Sequence, residues 1–218
     1  EGLDALIITG ANIADPDLTK AAFWEPLQKV IDWSWNNVTS TLTACLATHA
    51  VMEFKYNIKR QPLPGKHVGI FRSRVKKAGH PIVRGTNSVF DVPHSRHNTI
   101  TCDDFQNAGM HVLVDSREGG VHMACSSDGL RLICCQGHQE YDTASIMKEY
   151  KRDMLLYLDG ALETKPDIPK HYFTSEALEI ICDFETKAEG QKTMPEFPDK
   201  ALSENIDNTW RDTARAVF

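Results

Sequence analysis

The opening fifty-six residues alternate between two periodicities, and this alternation constrains the fold more than any other feature. Ala5 to Thr9 is a short continuous apolar run closed by Gly10, which fits a buried parallel strand. Phe23, Trp24, Leu27, Val30, Ile31 and Trp33 then recur at helical spacing. The β-branched stretch from Asn37 to Ala44 reads as the next strand. Cys45 to Tyr56 returns to helical spacing, with Ala, Met and Phe on one side. Strand, helix, strand, helix in that order argues for βαβ units and an α/β fold built on a mostly parallel sheet.

The rest of the chain is less regular. Lys66 to Phe71 reads as a short strand, and His80 to His97, with two prolines and a glycine, as loop with short extended pieces. Three strands follow in "MHVLVDS", "VHMACSS" and "RLICCQG", the last two joined through Asp128-Gly129, a hairpin signal. After Gly137 the spacing predicts a helix from Tyr141 to Leu162, with Asp142 as N-cap. Residues 161–209 hold four prolines and little periodicity, and read as an irregular C-terminal wrap. At 218 residues, 41% of them hydrophobic, the chain suits one domain.

Charge and cysteine content narrow the function. A net charge of −6 without a basic stripe argues against a nucleic-acid partner. No apolar run has the length of a membrane span, and no signal-peptide pattern opens the chain. The six cysteines, several inside strand-like runs, look like free thiols of a reducing, cytoplasmic compartment rather than a disulfide framework. The chain starts at Glu1 without Met and stops at Phe218 after the helix-like "NTWRDTARAVF", so both ends look trimmed.

Four constellations carry chemistry. Cys45 stands where a strand passes into a helix, at the carboxyl end of the sheet. There the helix N-terminus favours a thiolate, and backbone N–H groups such as that of Leu46 can meet an oxyanion. A buried cysteine at a strand end fits the same position. In "CCQGHQEYD", His138 and Glu140 are two apart and share a side, as a base and its orienting acid would. Taken alone, the pair reads better as two polar residues of a surface loop. A zinc reading of Cys134, Cys135 and His138 fails because adjacent strand cysteines face opposite ways. "PHSRH", Pro93 to His97, reads as a compact polar loop in which Ser95 and Arg96 can bind an anion. Glu149 and Arg152 share a helix face, either as substrate contacts or as a surface ion pair.

Taken together, "LIITGAN", "FWEPLQKVIDWSWNNVTSTLTAC", "VRGTNSVFDVPHSRH", "GHQEYD", "EYKRD" and "HYF" resemble the homoserine O-succinyltransferase family of methionine biosynthesis. The likeness runs from about residue 3 to residue 173, with an echo in "WRDTARAVF". It implies a flavodoxin-like three-layer α/β sandwich similar to class I glutamine amidotransferase domains. Residues 1–218 would form one acyltransferase domain lacking the family's N-terminal part and extreme C-terminus. It also implies a ping-pong reaction through an acyl-cysteine on Cys45, with His138 as base, Glu140 as its acid partner and the Leu46 N–H in the oxyanion hole. Arg152 would hold the amino-acid carboxylate, Glu149 the amino group and Ser95 the substrate, with Lys66 near the acyl donor. The substrates implied are small molecules, with a coenzyme A thioester as co-substrate, no resident cofactor and no metal. Members are commonly dimeric, so a homodimer is expected.

The sequence departs from the family pattern at Asn12, Leu46, His49 and Gln139, where Pro, Trp, Gln and Pro are usual. Acyl choice in the family follows the position held here by Ala14, where Glu goes with acetyl and Gly with succinyl. Small, uncharged Ala14 favours succinyl-coenzyme A. Acetyl-coenzyme A as donor, serine as acceptor, a Cys–His–Glu hydrolase or amidotransferase, and a non-catalytic relative are the competing readings.

Overall fold

The computed structural model describes residues 2–190 and 195–217. Seven strands form one sheet in the order β1-β2-β7-β6-β5-β3-β4. They are β1 (Ala5–Ile8), β2 (Ser40–Ala44), β3 (Gln61–Val75), β4 (Val89–Thr99), β5 (His111–Ser116), β6 (Gly120–Cys125) and β7 (Leu132–Cys135). The helices are α1 (Trp24–Asn37), α2 (Leu46–Tyr56), α3 (Cys102–Asn107), α4 (Ser145–Leu158), α5 (Ser175–Gly190), α6 (Asp199–Ser203) and α7 (Arg211–Val217).

The α/β class and the opening β1-α1-β2-α2 unit are as the sequence indicates. Between strands of the described residues, however, parallel pairing is confined to β1 with β2 and β2 with β7. The remaining pairings are antiparallel, although β1, β2, β7, β5 and β4 all point the same way. β1 lies at the sheet edge, and Ile7 is 62% exposed, so it is not the fully buried strand its apolar run suggested.

Strand alternation sorts side chains to two faces. Along β7, Leu132 and Cys134 enter the core formed with α2 and α3, while Ile133 and Cys135 enter the core with Val92, Leu113 and Met123. The neighbouring cysteines thus face opposite sides. Burial pushes the Cys134 thiol up to about 12 and Cys135 higher still, so neither is poised to react. A third core, built from α4, α5 and α6 with Tyr172 and Trp210, closes over Val68 and Ile70 of β3.

Four local expectations are corrected. The stretch from His80 to His97 is not mainly loop: Pro81–Val83 is one 3₁₀ turn and most of the remainder lies in β4. "PHSRH" is therefore strand. Its alternation is hidden because the buried side carries His94, Arg96 and Asn98 rather than apolar residues, and Pro93 is tolerated because β4 is an edge strand. The short strand at Lys66 is part of a fifteen-residue one. Asp142 caps no helix. It accepts from Ala144 N at 2.9 Å, and α4 starts only at Ser145. Finally, residues 161–209 contain α5 and α6; Ala177, Ile181 and Phe184 form the buried stripe of α5. Residues 191–194 of that stretch, and Phe218, lie outside the described residues. Among the described residues no helix is long and apolar enough to cross a membrane.

Candidate active site

β2 ends at Ala44 and α2 starts at Leu46, leaving Cys45 alone to make the turn. It does so at φ 51° and ψ −118°, left-handed backbone that a non-glycine residue rarely adopts. Such a strained strand-to-helix turn presents the side chain at the sheet's carboxyl edge, where Cys45 is buried but lines a cavity. Three contacts hold it. Cys45 N donates to Cys135 O at 2.7 Å. Thr48 Oγ1, one turn along, lies 3.1 Å from both Thr43 O and Cys135 O. Gly10, at the end of β1, packs directly against the turn. A Cβ added there would lie 2.9 Å from Cys45 Cβ and 3.1 Å from Leu46 N. Leu46 N is in the first turn of α2, where amides have no partner within the helix.

His138 and Glu140 follow β7. His138 N donates to Pro93 O at 2.7 Å, which ties this segment to β4. His138 Nδ1 lies 2.7 Å from Glu140 Oε1, and the Tyr141 ring stacks on the imidazole at 4.3 Å. Burial opposes charge on His138, but Cys45 and Glu140 more than offset it, so its pKa is raised well above the ordinary histidine value. Burial likewise opposes charge on Glu140, but the bond to His138 leaves its carboxyl lowered. Cys45 Sγ lies 3.8 Å from Ser95 O. The sequence-derived trio Cys45, His138 and Glu140 is therefore brought together.

These groups line one cavity of about 340 Å³. Thr9 to Ile13 form one wall, Ser95 to Asn98 of β4 another, and His49, Arg60, Tyr141, Glu149 and Arg152 complete it. Glu149 is its polar hub. Oε2 accepts from Ser95 Oγ at 2.6 Å and Lys66 Nζ at 3.0 Å, and Oε1 accepts from Tyr141 OH at 2.7 Å. Burial would raise its carboxyl, but these partners win and hold it below the ordinary range. Arg152 lies at the mouth with Nε bonded to Asp153 Oδ1 at 2.8 Å.

Two expected residues stand apart. Lys66 does not line the cavity; it lies behind Glu149, shared with Asp153 at 2.8 Å. Ala14 does not line it either. It is exposed just beyond the Thr9–Ile13 wall, and its carbonyl accepts from Asn98 Nδ2 at 3.0 Å.

Tyr141, His49 and Arg60 are lining residues that sequence reasoning did not assign. Gln136 Oε1 accepts from Ile100 N at 2.8 Å, so at its 3.0 Å contact with His49 the Nε2 carries the proton. Burial holds His49 neutral, with its pKa at about 3.

The chain matches the homoserine O-succinyltransferase family profile over residues 1–218. It is similar to proteins named homoserine O-succinyltransferase from Thiobacillus denitrificans (51% identical) and Nitrosococcus oceani (47% identical). Both alignments cover 100% of this chain and 62% of the relative, so the chain spans about three-fifths of their length. In fold it resembles a glutamine amidotransferase from Thermotoga maritima, with a TM-score of 0.50 at 13% identity over 75% of this chain and 66% of that one. It also resembles the glutaminase domain of Trypanosoma brucei CTPS, with a TM-score of 0.50 at 10% identity over 65% of each chain. By sequence over its whole length, this chain belongs to the homoserine O-succinyltransferase family.

Proposed function

We propose that the protein transfers a succinyl group from succinyl-coenzyme A to the hydroxyl of L-homoserine through an acyl-cysteine on Cys45. The observation that carries this reading is the strained Cys45 turn beside a His138 raised by Cys45 and Glu140. The family and the names of the relatives supply the substrates.

In the first half-reaction the Cys45 thiolate attacks the thioester carbonyl, and the Leu46 N–H faces the oxyanion. The C–S bond to coenzyme A breaks, and protonated His138 gives its proton to the leaving thiolate. In the second half, neutral His138 takes the homoserine hydroxyl proton, and the oxygen attacks the acyl-cysteine. O-succinylhomoserine leaves with Cys45 again a thiolate and His138 again protonated. Glu140 fixes the imidazole orientation and stabilises its charged form. Arg152 meets the homoserine carboxylate, and Glu149, with Ser95, its ammonium group. Lys66 acts only through Glu149, and so on the acceptor side rather than on the donor, and Ala14 acts through the placement of the Thr9–Ile13 wall. In this reading the protein is a cytoplasmic homodimer acting on small molecules, with no resident cofactor.

The competing hydrolase uses the same trio with water as acceptor. Coenzyme A release separates the two. The transferase reading expects steady release from succinyl-coenzyme A to require homoserine; steady release without any acceptor overturns it.

A further inference from the structure

Arg60 is 5% exposed, yet among the described residues it makes no ion pair. Burying a guanidinium without a counter-ion is costly, so such a charge is retained where something else balances it. Its known bonds run to backbone carbonyls of one loop. Nη2 donates to Ile13 O at 3.1 Å and to Asp15 O, and Nε donates to Pro16 O at 3.4 Å. Nη1 has no hydrogen-bond partner among the described residues, and the side chain lines the Cys45 cavity.

The surrounding acids do not fill the role. Asp15 contributes its carbonyl to Arg60, while its carboxylate takes Lys20 Nζ at 3.2 Å. Glu53 is buried, its carboxyl is pushed up by that burial, and it forms no ion pair with Arg60. The other cavity arginines differ. Arg96 spends Nε, Nη1 and Nη2 on His94, Asn98 O and Gly119 O, and Arg152 is tied to Asp153 at the mouth. Arg60 is therefore the buried cavity cation that keeps a donor nitrogen for a ligand anion.

We infer that Arg60 anchors the distal carboxylate of a dicarboxylic acyl thioester, so that the site selects ω-carboxy-acyl donors over neutral ones. This deepens the acyltransferase reading above and rests on it. The loop carbonyls of residues 13, 15 and 16 hold Nε and Nη2, which fixes the guanidinium plane and presents Nη1 to a carboxylate two methylenes beyond the thioester carbon. Charge-assisted bonds of this kind discriminate strongly against a donor that lacks the acceptor.

The test compares succinyl-coenzyme A with butyryl-coenzyme A, which has the same acyl length but ends in a methyl group. Coenzyme A release at saturating homoserine gives kcat/KM for each. The wild type should prefer succinyl. In Arg60→Gln that preference ratio should fall by about 10- to 100-fold, mostly through the KM of the succinyl donor. Arg60→Lys, which keeps the charge but loses the fork, should fall between the two. Using a ratio removes any general loss caused by loosening the loop, which would lower both donors together. If Arg60→Gln does not fold, Arg60→Lys carries the measurement, with a ratio at least a few-fold below wild type. An unaltered ratio in the folded variants, or a wild type without donor preference, overturns the assignment and leaves Arg60 as a loop brace. A wild type that turns over neither thioester overturns the acyltransferase reading itself, a distinguishable failure.

Discussion

Glu140 Oε1 lies 2.7 Å from His138 Nδ1, so the acid occupies one ring nitrogen and leaves Nε2 for the thiol of Cys45. Both neighbours favour the imidazolium and together overcome its burial. Glu140→Gln removes one of them. His138 should then titrate at lower pH in an NMR titration than it does in the wild type. The sign is fixed: a raised histidine pKa contributes stability that is full below the ordinary value near 6.5 and is lost as pH rises through the raised value. The variant should lose part of that contribution. Its kcat should drop by about 10²- to 10⁴-fold, and an unshifted His138 would show that the carboxylate does not act on the ring.

Gly10 allows the end of β1 to touch the nucleophile turn. In Gly10→Ala the added methyl meets Cys45 Cβ at 2.9 Å and Leu46 N at 3.1 Å, so the turn must move. We expect about 1–3 kcal/mol of destabilisation in urea unfolding. A loss of kcat of about 10-fold or more should accompany it, because the oxyanion donor is displaced. Full activity in a folded variant would show that Leu46 N is not needed where it stands.

Three histidines are buried and a fourth, His67, is half-buried, all in their neutral form. Burial lowers His49 and His122 to about 3, His67 to about 4, and His94 well below its ordinary value. Each is depressed in the folded state, so the unfolded chain binds protons first as pH falls below about 6.5. Stability should therefore decline steadily from pH 6.5 toward pH 4, seen as a falling urea midpoint. Neither His122 ring nitrogen has a hydrogen-bond partner among the described residues. His122→Leu should accordingly flatten this decline without loss at pH 7. A variant with the wild-type slope would remove His122 from the account.

Lys66 supports Glu149 from behind the cavity. Lys66→Met should raise the Glu149 pKa toward its ordinary value, since a favourable charge is lost. The acid limb of the homoserine-dependent rate should move to higher pH, and the KM for homoserine should rise by about 10-fold. The KM for the acyl donor should change less. The reverse pattern would place Lys66 on the donor side directly.

The sequence carried the Cys45 turn and the His138–Glu140 pair because local rules govern them. Apolar period and a β-to-α switch place Cys45, and a spacing of two puts the pair on one side, while the roles of all three came from the family resemblance. β4 was not legible as a strand, because its buried side turns from Phe90 and Val92 to the polar His94, Arg96 and Asn98, and Pro93 interrupts it; the pairing with β3 runs through both halves. The α5 stripe of Ala177, Ile181 and Phe184 was present but masked by the prolines on either side. Arg60 and His49 were invisible as site residues for a different reason. Their roles depend on the carbonyls of residues 13, 15 and 16 and on Gln136, contacts that bridge distant parts of the chain.

The central claim is that Cys45 carries the acyl group between donor and acceptor. Intact-protein mass spectrometry after exposure to succinyl-coenzyme A tests it most directly. The account predicts one added succinyl group, mapped to Cys45, absent in Cys45→Ala and discharged on adding homoserine. A wild type that turns over both substrates yet shows no adduct, or an adduct on another residue, would contradict it.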